Sequence, residues 1–101
     1  MIRIAAVAAV LPLLAVADPA AAAGRTLERV CVVADPSGTP LNIRDTPDGR
    51  IVGSIVNGSW VYATSVAHAR GKPWVYVHDS DRRGTPGEEL GWVYLDYLNC
   101  R

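Results

Sequence analysis

The tripeptide Trp-Val-Tyr occurs three times, at residues 60–62, 74–76 and 92–94. In an extended chain, neighbouring side chains point to opposite faces. Each copy therefore sends its two rings one way and its valine the other. The alternation continues, so that Val61 joins Ala63, Val75 joins Val77, and Val93 joins Leu95. A small barrel has little interior room, and branched aliphatics fill it well. The valines are expected inside and the rings outside. That places six of the seven aromatic residues on the outer surface of three strands, with Tyr97 the seventh. Phe is absent, so every ring carries a polar edge of the kind common at recognition surfaces.

Turn chemistry divides the remainder into further short strands. Residues 28–33 form a β-branched run, and 35–40 read as a loop from their Pro, Ser and Gly. In the 41–63 stretch, Leu41 and Ile43 alternate with Asn42 and Arg44, the period of a half-buried strand. Asp48-Gly49 and Asn57-Gly58 are pairs that tolerate positive φ and suit two-residue hairpin loops. Residues 69–72 read as a third hairpin loop, and Pro73 opens the strand that follows. The charged 79–89 segment reads as a mobile hairpin loop. Residues 95–98 suggest a short 3₁₀ turn, and 98–101 a closing strand. The expectation is an all-β chain, folded as a small barrel or sandwich.

The first residues read differently. Arg3, an apolar run over residues 4–16, and small residues at 15–17 and 20–23 have the order of a secretory signal peptide. Cleavage after Ala17 or after Ala23 is compatible with this pattern. We take residues 1–23 as signal peptide, 24–28 as a flexible mature N-terminus, and 29–101 as one domain. No stable membrane insertion is expected after cleavage. The expected location is secreted or periplasmic. Roughly 80 mature residues is a size at which a lone apolar core becomes marginal. Export places Cys31 and Cys100 in an oxidising compartment, where a disulfide joining the two ends of the domain is the default. Net charge is zero, so nothing steers the chain toward nucleic acid.

Several of these residues carry a family likeness. Leu41-Asn42-Ile43-Arg44, Pro47, Ile51-Val52-Gly53 and Gly58, followed by Val61 and Ala63, resemble the opening of bacterial SH3-like (Src-homology-3 type) domains of exported proteins. Pro73-Trp74 stands where that family has Gly-Trp, with Val77 after it. Gly91-Trp92-Val93 and Tyr97-Leu98 resemble its close. The likeness covers residues 29–98. The longer 79–89 segment and the two terminal cysteines depart from it. The resemblance implies a five-stranded, strongly bent SH3-like barrel. It also implies a binding role toward peptides or cell-wall peptidoglycan, in a groove near Asp45, Trp74, Tyr76, Trp92 and Tyr97.

No constellation for catalysis emerges. His68 and His78 are the only imidazoles, and each lies at a strand end. The side chains of adjacent Glu88 and Glu89 point apart in an extended strand. Two cysteines without neighbouring His make no metal site, and Asp79, Asp81 and Asp96 lack calcium-loop spacing. No cofactor is expected. The function expected is that of a non-catalytic binding module for a peptide, peptidoglycan or an exported protein partner. The alternative is a structural or inhibitory protein that docks on an exported enzyme through the 79–89 loop.

Overall fold

The structure is a computed structural model and describes residues 25–100. The expected signal peptide lies outside the described residues. Seven strands follow in order: β1 (Arg25–Val33), β2 (Leu41–Arg44), β3 (Ile51–Ile55), β4 (Trp60–Ala69), β5 (Lys72–Ser80), β6 (Pro86–Tyr94) and β7 (Leu98–Cys100). A 3₁₀ turn, Leu95–Tyr97, links β6 to β7. All strands join one antiparallel sheet in the order β3-β2-β6-β5-β4-β1-β7. The sheet curls into a half-barrel, and the fold is all-β as expected.

Seven strands replace the five that the resemblance implied. β1 also starts earlier than expected. Residues 25–28 were expected to be loose, because Arg25 and Thr26 show no apolar alternation. Instead β1 begins at Arg25, and its backbone pairs Arg25 with Val66 and Thr26 with Ser65. Glu28, at φ 54°, forms the irregularity that resets the register before Arg29 pairs with Ala63. The other edge of β1 pairs with β7, where Cys31 lies directly opposite Cys100. The two are joined by the expected disulfide across 69 residues. A disulfide is the chemistry of an oxidising compartment.

The inner face is as the alternation predicts. Val61, Ala63, Val75, Val77 and Val93 have no exposed surface, and Cys31, Val33, Leu41, Ile43 and Val66 complete the core. Leu95 and Tyr97 pack against its edge. Register shifts in four of the ladders, at 43/44, 63/65, 77/78 and 26/29 among them, supply the local twist that curls the sheet. β2 pairs with β6 at one register position, Arg44 opposite Trp92. Gly91 makes that approach possible: a Cβ there would lie 2.7 Å from Ile43 Cγ2 and 2.8 Å from the Arg44 carbonyl oxygen.

The turns divide into two kinds. Arg70 and Gly71, both at positive φ, close the β4–β5 hairpin as a two-residue loop with Ala69 opposite Lys72. Asp48-Gly49 belongs to a longer loop between Arg44 and Ile51, closed by the Asp45 N–H donating to the Arg50 carbonyl at 3.0 Å. Asn57-Gly58 is a turn but no hairpin, since β3 pairs with β2 alone. Gly58 N–H donates to the Val33 carbonyl at 2.8 Å, and Asn57 bridges Asp35 N–H and the Thr39 carbonyl.

The 79–89 segment is also corrected. β5 continues to Ser80 and β6 starts at Pro86, so the expected mobile loop shrinks to residues 81–85. Asp81 Oδ1 accepts the N–H groups of Arg83 at 2.9 Å and Thr85 at 3.0 Å. The Thr85 backbone bond, followed by that of Arg83, holds the Asp81 carboxyl below its ordinary value.

Candidate functional site

β5 and β6 lie side by side near the middle of the sheet, with Trp74 opposite Tyr94 and Tyr76 opposite Trp92. Directly paired residues share a face, so these four rings gather on the side away from the valines. They form two groups. In the first, Tyr76 meets Trp92 edge-on at 5.4 Å and His78 at 5.8 Å. Its hydroxyl donates to Glu89 Oε1 at 2.6 Å. In the second, Trp74 meets Tyr94 at 5.6 Å, and Tyr94 meets Tyr97 edge-on at 4.9 Å. The Tyr94 hydroxyl donates to Asp96 Oδ2 at 2.8 Å.

Charged side chains lie over the second group. The Arg44 guanidinium is 5.5 Å from the centre of the Trp74 ring, and the Lys72 ammonium 5.7 Å from that of Tyr94. Both distances are within the range of cation–π attraction. Between them is a cleft of about 200 Å³. The rings of Trp74, Tyr94 and Tyr97 line it, with Arg44, Lys72, Asn42 and Asp48 as its polar members. Arg44 Nη1 donates to the Gly49 carbonyl at 2.7 Å, and Asp48 is paired with Arg70 at 3.1 Å. Trp74 is only 5 % exposed, although it lies outside the valine core cluster. Trp74 is on the outer face, as the alternation predicts, but is covered there.

The structure brings together four of the five residues expected at the groove. Trp74 and Tyr97 line the cleft, and Tyr76 and Trp92 form the adjoining stack. Asp45 stands apart. Its Oδ1 accepts the Arg50 N–H at 3.0 Å, and its Oδ2 is 3.6 Å from Arg50 Nε, so it closes its own loop. Alternation along β2 puts Asn42 and Arg44 on its outer face without saying which rings they meet, and the third Trp-Val-Tyr copy contains Tyr94. Nothing local points to Lys72 or Asp48. The two imidazoles occupy opposite ends of the β4–β5 ribbon, His68 opposite Pro73 and His78 opposite Tyr62. They share no site. Among the described residues, no group of three or more His, Cys, Asp or Glu side chains is placed to hold a metal ion.

No family model, curated protein or solved structure matches this chain. Its function is therefore argued from the site itself.

The tyrosines have a testable signature. Hydrogen bonding to the Glu89 carboxylate, then burial, raises the Tyr76 hydroxyl above its ordinary value of 10.0, and Asp96 does the same for Tyr94. A raised folded-state value favours the neutral phenol. The associated stability is complete below the unfolded-state value and is lost as pH rises through the folded-state value. Absorbance titration at alkaline pH should show two tyrosines ionising late. Glu89→Gln should return one of them toward 10.0. An unchanged titration would show that the Tyr76–Glu89 bond does not form in solution.

Proposed function

We propose that this chain is an exported, secreted or periplasmic, non-catalytic binding module of the SH3-like kind. Its aromatic outer face takes a peptide or a peptide-bearing fragment of cell-wall peptidoglycan. One observation carries the reading: rings from β5, β6 and the 3₁₀ turn converge on a cleft that also holds two cations. The core is filled by aliphatic side chains, with Tyr97 at its edge, so the other rings of this face are not needed to fill it. Aromatic residues with a wet edge beside Arg are the composition of a binding hot spot.

Sedimentation with purified peptidoglycan tests this reading. The wild-type protein should be retained. Trp92→Ala and Trp74→Ala should lose most of that retention while their far-ultraviolet circular dichroism stays native. Retention unchanged in both folded variants, or no retention of the wild type, would overturn the reading.

A further inference from the structure

We propose that the cleft recognises a carboxylate attached to a flat or apolar group, bound by Arg44, Lys72 and the indole N–H of Trp74. The proposal rests on the reading of this face as a binding surface and specifies what binds there. Three observations support it. First, Trp74 Nε1 is enclosed and meets no hydrogen-bond acceptor, the one such buried side-chain atom among the described residues. Buried polar atoms are nearly always paired, and an orphan donor on a residue that lines the cleft is matched by an acceptor from a ligand.

Second, the charge in the cleft is unbalanced. Asp48 is already paired with Arg70. Among the described residues, neither Arg44 nor Lys72 has a carboxylate within ion-pairing distance. Arg44 donates one bond, to the Gly49 carbonyl, from a guanidinium that has five donors. A planar fork with spare donors matches the two oxygens of a carboxylate. Third, the rings of Trp74, Tyr94 and Tyr97 offer an apolar wall next to these donors. The cleft, at about 200 Å³, is smaller than pockets that enclose a whole drug-sized ligand. It suits one end group rather than a long segment. Arg44 rests over the Trp74 ring and Lys72 over that of Tyr94, and the proposal requires these flexible side chains to shift for a carboxylate to reach the enclosed indole N–H.

The test is a titration of the ¹⁵N-labelled protein with N-benzoylglycine, its uncharged amide, and inorganic phosphate. The Trp74 indole signal is assigned by its disappearance in Trp74→Phe. N-benzoylglycine should shift that signal saturably. The amide should bind about tenfold more weakly or worse, the usual consequence of losing one charged hydrogen bond. Lys72→Ala, an exposed position, should weaken the acid several-fold more than the amide. Equal affinity for acid and amide, or an unmoved Trp74 signal, overturns the proposal. So does a phosphate response as strong as that of the acid. If peptidoglycan is retained but N-benzoylglycine does nothing, the carboxylate proposal fails alone. If the acid binds as described but peptidoglycan is not retained, the cleft chemistry holds and the wall-binding reading fails.

Discussion

Reducing the Cys31–Cys100 bond should lower the melting temperature by roughly 15–30 °C. The bridge closes a loop of 69 residues. Chain-entropy reasoning assigns about 4 kcal/mol to a loop of that length, and each kcal/mol moves the melting point of a domain this size by about 4–8 °C. The structure explains why little else could compensate. β7 has three residues and pairs only with β1. Without the bridge, that end of the sheet depends on three residue pairs and on the Ala34 N–H donating to the Tyr97 carbonyl at 2.9 Å. Tyr97 also lines the cleft, so reduction should weaken ligand retention before the sheet unfolds. Thermal melts with and without reductant, checked against Cys31→Ala/Cys100→Ala, measure the effect. A fall of less than about 5 °C, near 1 kcal/mol, would show that the bridge contributes little.

Gly91→Val should be the most damaging single substitution outside the bridge. Gly91 has φ 142°, which side chains rarely adopt, and a Cβ would meet Ile43 Cγ2 at 2.7 Å and the Arg44 carbonyl at 2.8 Å. Backbone strain and overpacking together cost about 3 kcal/mol or more. The obstruction falls where β2 joins β6, so the strand bearing Arg44 would be pushed off the cleft. Gly53→Ala is the internal comparison. Its Cβ would have one neighbour, Ile43 Cδ1 at 3.6 Å, an ordinary contact. That variant should stay within about 1 kcal/mol of wild type. Urea denaturation of the two variants separates the outcomes. Comparable stability for both would contradict the role assigned to Gly91.

The part of the fold that was legible in the sequence is the part governed by neighbours in the chain. Alternation along Trp-Val-Tyr is a property of the extended backbone, so the inward placement of Val61, Val75 and Val93 follows without knowing which strands pair. The hairpin at Arg70-Gly71 is equally local. Asn57-Gly58 shows the limit. Its composition announces a turn, yet its partners are Val33, Asp35 and Thr39, and no local rule says that β3 and β4 will not pair. The N-terminal half of β1 was missed because its pairing is by backbone, whose hydrogen bonds do not depend on an apolar pattern.

The site divides along the same line. The rings could be placed on one face from their spacing alone. The cations over them could not, because Arg44 reaches Trp74 through the pairing of β2 with β6, and Lys72 reaches Tyr94 across the end of the β5–β6 ladder. Asp45 was drawn in by family position, whereas its hydrogen bonds are spent within its own loop.

The outer rings of β5 and β6 are the proposed binding surface. The most direct measurement follows the three tryptophan indole signals of the ¹⁵N-labelled protein during titration with soluble peptidoglycan fragments. The signals of Trp74 and Trp92 should move saturably, while that of Trp60, outside the cleft and the adjoining stack, stays in place. A response confined to Trp60, or to backbone amides of the 81–85 turn with both Trp74 and Trp92 unmoved, would contradict it.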